Sequence, residues 1–185
     1  KEWENLKIVT VPNFQNKLFV GIKYGVDGKH VAMSIATKVD EKIFVESIDC
    51  QSVRNGNTWI ISFLKEADIE KVVIDGSGSQ QILSDEIKDY GIKLKPVLPK
   101  VSDVVVANNM FEQAVTSSKN ICHNDQPSLK QIVTNCKRRA IGTNGGFGFK
   151  AMMEEHEIAL LDSVILAHWA CATYKGVKKK QKISC

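Results

Sequence analysis

The chain has 185 residues and a mass of 20.6 kDa, with 43% hydrophobic and 25% charged residues, the ordinary range of a globular protein with one sizeable core. No apolar run approaches the roughly 18–20 residues of a membrane span, and the start Lys1-Glu2-Trp3-Glu4 lacks the apolar stretch of a signal peptide. A soluble intracellular protein with no membrane partner is expected. The five cysteines are odd in number, widely spaced and without a C-x-x-C pair, which argues against a disulfide framework or a zinc knuckle and for reduced thiols. The formal net charge of +4 is unevenly placed: residues 1–129 carry 15 basic and 17 acidic side chains, residues 130–185 carry 10 and 4. Part of the excess is the tail with Lys175, Lys178, Lys179, Lys180 and Lys182, and part is the triplet Lys137-Arg138-Arg139. Such a distribution suggests a polyanionic partner, DNA or RNA, although a lysine tail also serves simply as a solvated terminus.

In chain order, residues 18–22 alternate as a strand, Asp27-Gly28 is a two-residue turn signal, and residues 30–37 return antiparallel. Residues 42–48 add a third strand after a polar turn. A short helix begins at Asn57-Thr58, with Trp59, Ile60, Phe63 and Leu64 at helical spacing, and ends near Ala67-Asp68. Residues 71–75 form a nearly continuous apolar strand of the kind buried between crossovers. Residues 79–90 read as a helix stopped by Gly91, 92–98 as the next strand, 102–117 as a helix, 128–139 as a shorter one, 141–150 as a Gly-rich hairpin-like segment, and 155–174 as a long final helix. The fold class is therefore α/β: a mixed sheet in which an antiparallel three-strand meander leads into parallel strands, flanked by helices. This is the element order of RNase-H-like folds. Residues 1–174 are expected to form one domain and 175–185 a Lys-rich tail.

Two carboxylates stand out. Asp75 ends the apolar strand just before Gly76-Ser77-Gly78, where the crevice beyond the strand ends receives ligands in open sheets; it suits either a metal ligand or the cap of the following helix. Asp162 lies in a helix apolar on nearly every side, from Ile158 to Ala170. A buried carboxylate there needs an Arg or Lys partner, or a divalent cation shared with Asp75. The Gly-Ser-Gly-Ser stretch at 76–79 matches neither phosphate-loop spacing, Ser163 has no G-x-S-x-G setting, and the four histidines form no H-E-x-x-H pair. His156 lies near the start of the last helix and reads as a surface residue or a neighbour of Asp162.

Five segments, taken in order, carry a more specific signal: Val20 to Ala32 with Gly21-Ile22-Lys23-Tyr24 and Asp27-Gly28, the strand Val73-Ile74-Asp75-Gly76, His123-x-x-Gln126-Pro127-x-Leu129, Arg138-Arg139-x-Ile141-Gly142-x-x-Gly145-Gly146-Phe147-Gly148, and Leu161-Asp162-Ser163-x-x-Leu166-Ala167-His168-Trp169. Together they resemble the C-terminal nuclease domain of the large terminase subunit of tailed bacteriophages, over about residues 15–174. The resemblance implies an RNase-H-like, Mg²⁺- or Mn²⁺-dependent endonuclease with a two-metal acidic site that cuts concatemeric viral double-stranded DNA into genome lengths. It would act in the host bacterial cytoplasm with other terminase and portal components, as an isolated domain without the ATPase motor that family proteins carry upstream.

One position departs from the family. Lys23 stands where most members carry a first-strand Asp, and a protonated amine cannot ligate Mg²⁺. Asp75 and Asp162 are then the expected catalytic and metal-binding residues, Asp27 either a third ligand or only the turn residue, and Lys137, Arg138, Arg139 and Lys23 the nucleic-acid contacts. The alternatives from other classes are a catalytically weak DNA-gripping or packaging-interaction domain and another RNase-H-like nuclease, such as a resolvase or transposase core.

Overall fold

A computed structural model describes residues 1–11, 13–154 and 156–176. The meander is present and longer than its apolar core: β1 (Leu18–Tyr24), β2 (His30–Val39) and β3 (Lys42–Ser52) pair antiparallel. Then follow α1 (Thr58–Glu66), β4 (Ile69–Asp75), α2 (Ser79–Asp89), α3 (Val101–Thr116), β5 (Ile121–His123), α4 (Pro127–Thr134), the hairpin β6 (Cys136–Ile141) and β7 (Gly146–Ala151), and α5 (Ala159–Ala172). The main sheet has the order β4-β1-β2-β3-β5, with β4 parallel to β1 and β5 parallel to β3. A mixed sheet of this order, carrying an antiparallel meander at its centre, is the RNase-H-like arrangement expected from the element order.

Successive strand residues point to opposite faces, and the two cores follow that alternation. Val20, Ile22, Val31, Met33, Val72 and Ile74 pack with Ile60 and Leu64 of α1 and Leu83 and Ile87 of α2. On the other face Phe19, Ala32, Ala36 and Val73 meet Ala107 and Phe111 of α3 and Leu161, Val164 and Ala167 of α5. Each large side chain so buried contributes about 1.5–3 kcal/mol. Lys23 shares the pleat face of Phe19 and Gly21, and Asp75 that of Val73, so both point toward the α5 side.

Helix α5 reaches the sheet more closely than side chains would permit. A Cβ at Gly21 would lie 2.1 Å from the Ser163 carbonyl oxygen and 2.5 Å from the Ala167 nitrogen, so only glycine lets the helix backbone rest on β1. Next to this contact the Ser34 and Ser163 hydroxyls lie 2.6 Å apart, and Ser163 Oγ donates to the Leu160 carbonyl at 2.8 Å. The serine is a packing device.

Several expectations are corrected. Residues 92–98 do not form a strand: Val97 alone bridges to Val73, donating to the Val72 carbonyl and accepting from the Ile74 amide. Pro96 and Pro99 remove the donors a longer ladder would need. The helix read over 128–139 stops at Thr134, and Lys137, Arg138 and Arg139 lie on β6, whose partner β7 comes from the Gly-rich segment. The turn at Asp27-Gly28 is not a two-residue hairpin loop; residues 25–29 connect β1 and β2, with the Asp27 carboxylate accepting from the Lys29 amide at 2.9 Å. The final helix begins at Ala159, and the three-residue strand β5 is an addition to the expected elements. Of the tail, Lys178, Lys179, Lys180 and Lys182 lie outside the described residues. Cys50, Cys122, Cys136 and Cys171 are free thiols. Among the described residues, no helix is long and apolar enough to cross a membrane.

Candidate metal centre

The parallel register of β1 and β4 sets Lys23 directly beside Asp75. Their side chains, 13% and 20% exposed, form an ion pair through Nζ and Oδ2. Strand β4 ends there because Gly76, at φ 143°, passes against Tyr24, where a Cβ would lie 2.5 Å from that of the tyrosine. Asp162 arrives from the first turn of α5. Lys23, Asp75 and Asp162 line one small hollow together with Val104 and Asn108 of α3 and Arg139 and Ile141 of β6. Two acidic residues far apart in the chain are thus brought to one place, at the carboxyl end of β4, the strand at one edge of the main sheet.

Burial dominates the electrostatics of Asp162. It pushes the carboxyl up to about 6; Lys23 and Arg139 oppose this, while Asp75 and Glu157 add to it. Arg139 is held by a bond from Nε to the Phe149 carbonyl at 3.2 Å. Arg138 points elsewhere: it donates through Nε and Nη2 to Glu112 and stacks over Phe147 at 4.2 Å. Lys137 is exposed.

Asp27 is grouped otherwise than with Asp75 and Asp162. Among the described residues it belongs to the one trio of potential metal donors, with His30 and Glu157, whose ligand atoms all lie within 4.8 Å of one another. His30 Nδ1 lies 2.8 Å from Glu157 Oε2. His156 faces Gln131, with their Nε2 atoms 2.9 Å apart. The segment from His123 is architectural. His123 stacks on Trp3 at 3.9 Å, donates from Nε2 to the Trp3 carbonyl, and accepts at Nδ1 from the Asp125 amide, while Gln126 pairs with both backbone groups of Ser47.

The residue that sequence reasoning missed is Asn108. It is 2% exposed, its Nδ2 donates to the Val104 carbonyl at 2.8 Å, and its Oδ1 has no partner. That bond fixes which end of the amide is oxygen, and an orphan buried acceptor calls for a reason. The signal was present: Val104, Asn108 and Phe111 share an inward helical spacing, and an amide replaces the apolar residue expected at its centre. Two carboxylates and an amide oxygen are hard donors, the set that suits Mg²⁺ or Mn²⁺.

No family model matches the chain, and no curated protein matches it. Solved structures do. The HK97 bacteriophage large terminase superposes with a TM-score of 0.67 at 14% identity, covering 90% of this chain and 42% of that one. The large terminase nuclease of thermophilic phage G20c gives 0.63 at 10% identity over 94% and 97%, and the nuclease domain of the bacteriophage SPP1 large terminase with bound Mn gives 0.51 at 13% identity over 89% and 96%. The fold is that of phage large-terminase nucleases. At these identities the likeness is one of fold. The chain spans less than half the length of the HK97 terminase and nearly all of the G20c nuclease. Within the terminase-nuclease fold, Lys23 and Asp75 occupy adjacent strands and Asp162 the helix laid across them.

Proposed function

We propose that residues 1–174 are a divalent-metal-dependent endonuclease domain that cuts concatemeric viral double-stranded DNA during genome packaging, in the host cytoplasm and beside other terminase and portal components. The observation that carries this reading is the convergence of Asp75 and Asp162 on one hollow, lined also by Asn108, whose buried amide oxygen has no partner. These two carboxylates would hold Mg²⁺ or Mn²⁺. Asp27 stands in this reading as a third carboxylate that would have to leave its group with His30 and Glu157 to join them.

When bound, the ion supplies Lewis acidity, lowering the pKa of water and offsetting the charge that develops on the scissile phosphate. The protein's own groups do the positioning. Lys137 and Arg139 hold backbone phosphates along β6, and Lys23 places a positive charge beside Asp75 at the mouth of the strand. In the net reaction the water oxygen joins phosphorus, the bond to the 3′ oxygen breaks, and that oxygen takes a proton, leaving a 5′-phosphate and a 3′-hydroxyl. Cutting is expected to be nearly independent of sequence, because phosphate contacts carry no base information.

The test is a supercoiled plasmid incubated with the protein and Mn²⁺. Nicked and linear products that disappear on chelation, and that Asp162→Asn abolishes without lowering the melting temperature, are expected. Chelator-resistant cutting refutes the reading. The Lys23–Asp75 ion pair favours one second reading, a domain that grips DNA with little chemistry; binding without cutting at every metal concentration would select it.

A further inference from the structure

The two-ion arrangement implied by the resemblance does not fit this hollow. Paired ions sit about 3.5–4 Å apart and each needs its own set of oxygens, whereas among the described residues the carboxylates lining this hollow are Asp75 and Asp162 alone. One of the Asp75 oxygens is taken by the Lys23 ammonium. Lys23 and Arg139 also bring positive charge to the hollow, which works against gathering four further positive charges on two carboxylates.

We infer that the site binds a single divalent ion, with the Lys23 ammonium standing where a second ion would be and Asn108 Oδ1 supplying the neutral oxygen that completes the set with Asp162 and the remaining Asp75 oxygen. The inference rests on the nuclease reading above and specifies its metal content. Asn108 enters because its Oδ1 is buried without a partner while its Nδ2 is fixed on the Val104 carbonyl. A divalent ion is the ligand that turns this cost into a bond. The amine tethered to β1 neutralises Asp75 permanently and without depending on the metal supply.

The experiment is a Mn²⁺ titration of the purified protein, with free Mn²⁺ followed by electron paramagnetic resonance. Wild type should bind one ion and Lys23→Asp two. Asn108→Ala should weaken the single ion by about tenfold, and Asn108→Asp, of the same shape, should retain or tighten it. Two ions in wild type, none in wild type, one in Lys23→Asp, or an unchanged affinity in Asn108→Ala overturns the proposal. Should Lys23→Asp fail to fold, Lys23→Ala should bind its ion about tenfold tighter through loss of the ammonium's repulsion; unchanged affinity there is equally fatal. One ion bound without any plasmid cutting would sink the nuclease reading and leave this inference standing, whereas two ions with cutting would do the reverse.

Discussion

Asp162 and His168 lie on the same helix, six residues apart, and burial works on them in opposite senses. The Asp162 carboxyl is raised to about 6, so the folded state holds its proton more tightly than the unfolded chain does; stability from this group is present below the ordinary carboxylate range and lost as pH rises through about 6. The His168 imidazole, 2% exposed and edge-on to Phe111, is lowered by burial to about 4, so its stability is full above about 6.5 and lost as pH falls toward 4. Each shift corresponds to about 3 kcal/mol. In the window between them the two contributions run against each other and leave the protein nearly level. Asp162→Asn removes one of them: in urea melts with chelator present, its stability should fall by about 2.5 kcal/mol from pH 6.5 to 4.5, while wild type changes much less. A level profile in the variant would show that His168 does not titrate as its burial dictates. His123, also lowered chiefly by burial, acts in the same direction as His168.

At the scale of elements, the β6–β7 hairpin divides its basic residues by the pleat. Lys137 and Arg139 share one face, and Arg139 reaches the hollow, whereas Arg138 is committed to Glu112 and Phe147. Replacing Lys137 and Arg139 together with Ala should flatten the dependence of log DNA affinity on log salt by up to about 2 units, one for each phosphate no longer neutralised. Arg138→Ala should leave the slope alone and lower the melting temperature; a flattened slope in Arg138→Ala instead would mean that its pairing with Glu112 opens on DNA. The same hairpin marks what a sequence withholds. The strand bearing Asp75 was legible because an unbroken apolar run has few other homes, and Asp162 because a charge amid apolar residues needs an explanation. Strand β6, Cys-Lys-Arg-Arg-Ala-Ile, is mostly exposed and shows no alternation; its order comes from pairing with β7 and from side chains of α3, which periodicity does not record. Residues 92–98 carried the apolar pattern of a strand, and two prolines overrode it. Asn108 was visible only as a lapse in a helical stripe, without meaning until the hollow it faces was known.

For the molecule as a whole, the contact that governs the site is the one between Gly21 and α5. Gly21→Ala would force a methyl into the Ser163 carbonyl and the Ala167 amide, neither of which yields like the end of a side chain. A loss of about 3 kcal/mol is expected in urea unfolding, together with weaker Mn²⁺ binding, because α5 must lift and carry Asp162 away from Asp75. Unchanged Mn²⁺ affinity in a destabilised variant would show that the helix pivots about its first turn instead of lifting. Asp162 and the glycine contact at Ser163 are consecutive residues, so the gap between the two acidic groups is gauged by main chain resting on main chain, and the bulk of neighbouring side chains does not enter it. A gauge of that kind is indifferent to composition: side chains of the surrounding core can change while main chain still rests on main chain. The corollary for anyone redesigning this protein is that stability can be sought freely in the two cores, whereas a single added carbon at position 21 resets the distance between Asp75 and Asp162.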